Sequence, residues 1–161
     1  GGEIGPLIRS IQYVQNGQPG TWNRDEFYFS YRSSRLQGDA KGAIVTQAEL
    51  ELTPGEPCDI FQKMDDFQNQ RRSKQPLEYP SAGSTFKRPP GHYVGPLIEK
   101  AGLKGFRIGG AQVSTKHAGF IIKTGEATAQ DFLDLIAKIQ DTIRQGFGVQ
   151  LEPEIRILGE D

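Results

Sequence analysis

The chain has 161 residues, of which 24% are charged, and its acidic and basic side chains nearly cancel to a net charge of -1. That length supports one sizeable core or two small subdomains. The charge balance leaves no whole-chain basic field to attract nucleic acid or an anionic membrane, and no apolar run approaches the roughly 18–20 residues that a membrane-spanning helix needs. A lone cysteine, Cys58, has no internal disulfide partner, which favours a reducing, cytoplasmic setting and reads as a small buried hydrophobe. No segment reads as a signal peptide, and the opening Gly1-Gly2-Glu3 reads as the middle of a longer protein.

Residues 1 to 53 read as β-rich. Bulky β-formers fill Ile8 to Val14, and Asn16-Gly17 behind them is a hairpin signal. Ile44 to Leu52 alternates, with Ala48, Leu50 and Leu52 on one face and Gln47, Glu49 and Glu51 on the other. Between these lies Phe27-Tyr28-Phe29-Ser30-Tyr31, followed by Arg32 and Arg35. Two readings stand for it: core aromatics, or an anion clamp, since a guanidinium forms two parallel bonds to a carboxylate or phosphate.

Thr53-Pro54-Gly55 breaks the strand and marks the expected domain boundary. Glu56 to about Ser73 then reads as a helix with Ile60, Met64 and Phe67 on one face, ending in Arg71, Arg72 and Lys74, cations suited to a helix C-terminus. The stretch Tyr79 to Gly91 concentrates chemistry in a loop: small residues at 81 to 84 admit close approach of a ligand, Lys87 and Arg88 are adjacent cations, and Pro89-Pro90-Gly91 stiffens the exit.

Beyond it, Tyr93 to Ala101 reads as a short helix with Val94, Leu97, Ile98 and Ala101 on one side. Arg107 to Ser114 reads as a strand interrupted by Gly109-Gly110, a pair that lacks the spacing of a dinucleotide fingerprint. Ser114 to His117 turns, and Ala118 to Lys123 is another strand. The clearest helix is Ala129 to about Gln145, with a capping box from Thr128 and Asp131, a buried stripe of Phe132, Leu135, Ile136, Ile139 and Ile143, and Gly146 as its stop. Leu151 to Leu158 reads as a short final strand carrying Glu154 beside apolar residues. The expected class is α+β, and no Cys/His constellation points to a metal.

Four segments together resemble the UDP-N-acetylenolpyruvoylglucosamine reductase (MurB) family of peptidoglycan synthesis: Tyr31-Arg32-Ser33-Ser34, Gly83-Ser84-Thr85-Phe86-Lys87-Arg88-Pro89, the block from Ala101 to Ser114, and Leu151 to Arg156. The resemblance runs in the family's order over essentially the whole chain and covers only the later part of such an enzyme. It implies the end of an FAD-binding domain of PCMH/VAO-like type over residues 1–54, and a small α+β substrate-binding domain over 55–161. It further implies FAD and NADPH as cofactors, reduction of UDP-N-acetylglucosamine enolpyruvate to UDP-N-acetylmuramate, a cytoplasmic setting, and a fragment inactive by itself. A non-catalytic sugar-nucleotide-binding module is the alternative.

Residue by residue, the resemblance carries over Ser84 as the proton donor, Glu154 as the catalytic glutamate and Arg32 as the arginine at the substrate carboxylate. Lys74, Arg88 and His117 match substrate contacts, although some relatives have asparagine and glutamine where this chain has Arg88 and His117. Gly1, Gly2 and Arg156 fall where the flavin is contacted. No nucleic-acid, membrane or metal partner is implied.

Overall fold

The structure, a computed structural model, describes residues 2–159. Contacts divide it into two compact units, Gly1–Met64 and Asp65–Asp161.

The first unit is a three-stranded antiparallel sheet in the order β2-β1-β3, with β1 at Ile8–Gln15, β2 at Gln18–Asn23 and β3 at Ile44–Leu50. The expected hairpin is present: Asn16 and Gly17 both have positive φ, 52° and 76°, and Gln15 pairs with Gln18 across the turn. Two such residues in succession match the right-handed twist of the flanking strands. Ile8, Ile11, Trp22, Phe27 and Ala40 form the core, and Tyr13 stacks on Trp22 at 3.5 Å between ring centroids. Of the aromatic run, only Phe27 is buried, whereas Tyr28 and Tyr31 are 66% and 61% exposed. The core reading therefore holds for one member of that run and fails for those two tyrosines.

Helix α1, Pro57–Lys74, starts and stops within a residue of expectation, and the division between the units falls inside it. Ile60, Met64 and Phe67 share a face at helical spacing, yet no α1 residue is buried. Cys58, in its first turn, is exposed and is not the small buried hydrophobe expected.

The second unit is a four-stranded antiparallel sheet ordered β4-β7-β6-β5: β4 is Ser81–Ser84, β5 Arg107–Ile108, β6 Ala111–Val113 and β7 Phe120–Lys123. Two helices, α2 (Val94–Lys100) and α3 (Ala129–Phe147), complete it. Leu135, Ile136, Ile139 and Ile143 of α3 share one core with Leu97 and Ile98 of α2 and with Ala111, Val113 and Ile121 of the sheet. Thr128 caps α3 by accepting from the Asp131 N–H, and Asp131 returns a carboxylate to the Thr128 N–H, which closes the expected box.

Four local expectations are corrected. Residues 81–84 form an edge strand on β7, not a loop. Gly109-Gly110 does not interrupt a strand but turns a hairpin, since Gly109 adopts φ 52° and Ile108 then pairs with Ala111. Helix α3 runs through Gly146 and stops at Gly148, whose left-handed φ of 68° lets its N–H bond to the Arg144 carbonyl. The final strand shrinks to an isolated bridge between Phe86 and Pro153, because a proline has no N–H with which to extend a ladder.

Candidate functional site

Segment 81–92 is shaped by an irregular ladder. Ser81 pairs with Ile122 but Ser84 with Phe120, so β4 carries one residue more than β7 across the same span. Such a bulge re-aims the side chains next to it. Ser84 is exposed at its end, while the next residue, Thr85, is only 3% exposed. Thr85 donates its N–H to the Gly119 carbonyl (2.9 Å), and its hydroxyl oxygen accepts from the Ile121 N–H (3.2 Å).

The C-terminal tail docks against this same stretch. The Leu151 carbonyl accepts from Gln140 Nε2 of α3 (2.8 Å). The Lys87 N–H then donates to the Glu152 carbonyl (2.8 Å), and the Glu154 N–H to the Thr85 carbonyl (2.9 Å). Lys87 Nζ also pairs with the Glu152 carboxylate. The Glu154 N–H is thereby bonded to the residue that directly follows Ser84.

Around them the second unit gathers two more of the expected residues. Arg88 lies over the Tyr93 ring at 3.8 Å and donates from Nε to the His92 carbonyl (3.3 Å), in a turn closed by the His92 N–H on the Pro89 carbonyl. His117 stands edge-on to Phe120, the ladder partner of Ser84, at 5.1 Å between centroids. The buried Ser114 hydroxyl accepts from the N–H groups of Lys116 (3.1 Å) and His117 (3.2 Å), which shapes this turn. His117 Nδ1 accepts from the Gly119 N–H (3.1 Å), so in the neutral ring the proton resides on Nε2, leaving that nitrogen as a donor. Lys74 is exposed in the last turn of α1, and Arg156 is exposed just beyond Glu154.

Arg32 belongs to the first unit. There a pocket of about 910 Å³ is lined by Gly2, Pro6, Arg24, Tyr28, Phe29 and Arg32, among others. Arg32 has φ 54°, a left-handed backbone that a bulky residue adopts only when its surroundings impose it. The imposition is visible: Ser30 and Ser33 exchange both main-chain hydrogen bonds (3.0 and 3.1 Å), forcing Tyr31-Arg32 to be the reversal. The Arg32 guanidinium lies 5.5 Å from the Tyr31 ring centroid. Gly1, also expected at the flavin, lies outside the described residues.

Two features escaped sequence reasoning. The sequence reading gives Thr85 no role of its own, and its buried hydroxyl is recognised only from the bond it accepts from the Ile121 N–H. Tyr93 was placed only as a helix start, and its stacking with Arg88 depends on the chain reversal at Pro89–His92. Among the described residues no group of His, Cys, Asp or Glu is placed to hold a metal ion, and no helix is long and apolar enough to cross a membrane.

Comparison with known proteins gives a consistent result. The family model for the UDP-N-acetylenolpyruvoylglucosamine reductase C-terminal domain matches residues 75–158. The chain is 54% identical to a protein named UDP-N-acetylenolpyruvoylglucosamine reductase from Latilactobacillus sakei, over 99% of this chain and 52% of that protein. It is 52% identical to one of the same name from Lactobacillus johnsonii, over 100% of this chain and 53% of that protein. The crystal structure of the corresponding reductase, MurB, from Thermus caldophilus superposes with a TM-score of 0.80 at 32% identity, covering 95% of this chain and 54% of that one. The chain thus spans about half the length of the relatives it matches. With its second unit matched along nearly all of its length, the chain belongs to the UDP-N-acetylenolpyruvoylglucosamine reductase C-terminal domain family.

Proposed function

We propose that the protein containing this chain reduces the enolpyruvyl ether of UDP-N-acetylglucosamine to UDP-N-acetylmuramate, and that these residues supply its substrate-handling groups. Residues 1–54 then complete an FAD-binding domain and 55–161 bind the sugar nucleotide. The observation that carries the reading is the placement of Ser84 and Glu154 on either side of Thr85, with Arg88 and His117 beside the same strand end.

In this reading Arg32 receives the substrate carboxylate. When hydride adds to the enolpyruvyl double bond, an electron pair is left on the carbon that bears the carboxylate, and a preorganised guanidinium favours that charge. Ser84 gives its hydroxyl proton to that carbon. A serine hydroxyl is a weak acid, so its contribution rests on position more than on intrinsic pKa, and Glu154 orients the carboxylate end or tunes the hydroxyl. Arg88, its guanidinium already laid on Tyr93, and His117, with Nε2 available as a donor, hold the diphosphate together with Lys74.

The aromatic and guanidinium side of the first-unit pocket, Tyr28, Phe29, Tyr31, Arg24 and Arg32, suits part of a flat ring edged with carbonyls, with the carboxylates of Glu3 and Asp25 also in its lining. Gly2 and Arg32 would meet the flavin there, and Arg156 is a further flavin contact in this reading. Bound there and reduced by NADPH, FAD would supply the hydride. The chain taken alone lacks turnover.

The test is Ser84→Ala in the full-length enzyme. NADPH bleaches the bound flavin, followed at about 450 nm, at close to the parental rate, while substrate reduction slows by about a hundredfold or more, at the lower end of the usual worth of a positioned proton donor. Equal losses in the two half-reactions would refute the proton-donor role.

A further inference from the structure

We propose that Thr85 is the positioning residue that ties the main chain carrying the Ser84 hydroxyl to the main chain carrying the Glu154 carboxylate. The proposal rests on the reductase reading for what those two groups do, and on the hydrogen-bond geometry alone for how they are held.

Every polar group of Thr85 is committed. Its N–H goes to the Gly119 carbonyl, its carbonyl receives the Glu154 N–H, and its hydroxyl oxygen accepts from the Ile121 N–H at 3.2 Å. The first and third bonds fix the residue to β7 and to Gly119 just before it, and the second ties the C-terminal tail to it. Because Ser84 precedes it directly and Glu154 is its bonded partner, rotation or slippage at Thr85 moves both.

The hydroxyl bond is the unusual member. In a regular antiparallel pair the Ile121 N–H would meet a main-chain carbonyl of the neighbouring strand. Here the extra residue between Ser81 and Ser84 disrupts the ladder, and the Thr85 side chain provides the acceptor. Bulges leave the ladder locally unpaired, and a buried N–H without a partner is rare enough in folded proteins that some group must serve it. A hydroxyl on a residue 3% exposed does so here, and the bulge that points Ser84 outward is closed by it. A bare core role explains a buried apolar side chain at this position but does not call for an oxygen.

The experiment compares Thr85→Val, which keeps the shape and all main-chain bonds but deletes the oxygen, with Thr85→Ser, which keeps the oxygen, both in the full-length enzyme. Small displacements of reacting groups cost on the order of a hundredfold in rate. The expected result for Thr85→Val is therefore a fall in kcat of about ten- to a hundredfold, with KM for the sugar nucleotide and flavin reduction by NADPH close to parental. Thr85→Ser restores kcat to within about threefold of parental, a rescue expected because the hydroxyl has the same donor and acceptor capacity.

Thr85→Val with parental kcat, or with equal losses in both half-reactions, overturns the proposal. If the valine variant does not fold, the serine variant decides: a kcat near parental with the Ile121 amide still protected from exchange supports the proposal, and a loss of tenfold or more overturns it. Amide exchange also separates this proposal from the functional reading. Should the parent protein not reduce the enolpyruvyl sugar nucleotide at all, that reading fails. Faster exchange at Ile121 and Glu154 in Thr85→Val still supports the positioning role, and unchanged exchange overturns it.

Discussion

A single methyl group at Gly110 tests how the β5–β6 hairpin is seated. A side-chain carbon there would overlap the Glu126 carbonyl oxygen and come within 2.6 Å of the Ala127 Cα. Both obstacles are main chain, so no rotamer change relieves them, and residues 126–127 must move as a piece. That piece is anchored: the Gly110 carbonyl accepts from the Thr124 N–H (2.8 Å) and hydroxyl (3.1 Å), and the Gly110 N–H donates to the Asp131 carboxylate (3.1 Å) that also caps α3. Overpacking costs about 1–3 kcal/mol, and each hydrogen bond lost adds about 1 kcal/mol. With one or two bonds broken, Gly110→Ala should cost roughly 2–5 kcal/mol. At about 4 °C or more per kcal/mol for a unit of this size, Tm falls by roughly 8 °C or more. Gly146→Ala is the control, because nothing lies within 4 Å of the added carbon and the residue is inside α3. It should stabilise by about 0.5 kcal/mol. Thermal and urea unfolding followed by circular dichroism measure both, and a Gly110→Ala protein that melts within about 1 °C of the parent would refute the seating argument.

Two other predictions concern charge. Arg32→Lys keeps the positive charge but loses the planar fork, so the full-length enzyme should lose most of its substrate-reduction rate under steady-state assay, and near-parental turnover would remove the carboxylate-clamp role. Asp131 is held below its ordinary carboxylate pKa of 3.8, first by the Thr128 N–H and then by the Gly110 N–H. The unfolded chain therefore takes up this proton before the folded one does. Its contribution to stability is complete above about pH 4, and it is lost as pH falls through the depressed folded-state value. Asp131→Asn should flatten the acid limb of a Tm-against-pH curve, and an unchanged acid limb would show that the cap is not the titrating element.

Local chemistry made much of this fold legible. Asn16-Gly17 admits few alternatives to a tight hairpin, Thr128 and Asp131 announce a helix start, and the apolar stripe of α3 has one period only. Two of the misreadings depended on a partner distant in sequence and one on a local proline. Gly109-Gly110 looks like a flaw in a strand until Asp131 and Glu126 fill the space above it. Ser81 to Ser84 reads as a loop because its strand character comes from β7, and the tail after Leu151 reads as a strand because Pro153 is a minor feature of an otherwise β-prone run. At the candidate site, Ser84, Glu154, Arg88 and His117 carry recognisable chemistry, whereas Thr85 acts through bonds to residues more than thirty positions away.

The most direct measurement of the central claim is a crystal structure of the full-length enzyme with UDP-N-acetylglucosamine enolpyruvate bound. The expected result places Ser84 Oγ and the Arg32 guanidinium on the enolpyruvyl group, the hydroxyl within about 3.5 Å of the carbon it protonates and the guanidinium paired with the carboxylate, with Glu154 alongside. A substrate held elsewhere, or Ser84 and Arg32 directed to different ligand groups, would contradict it.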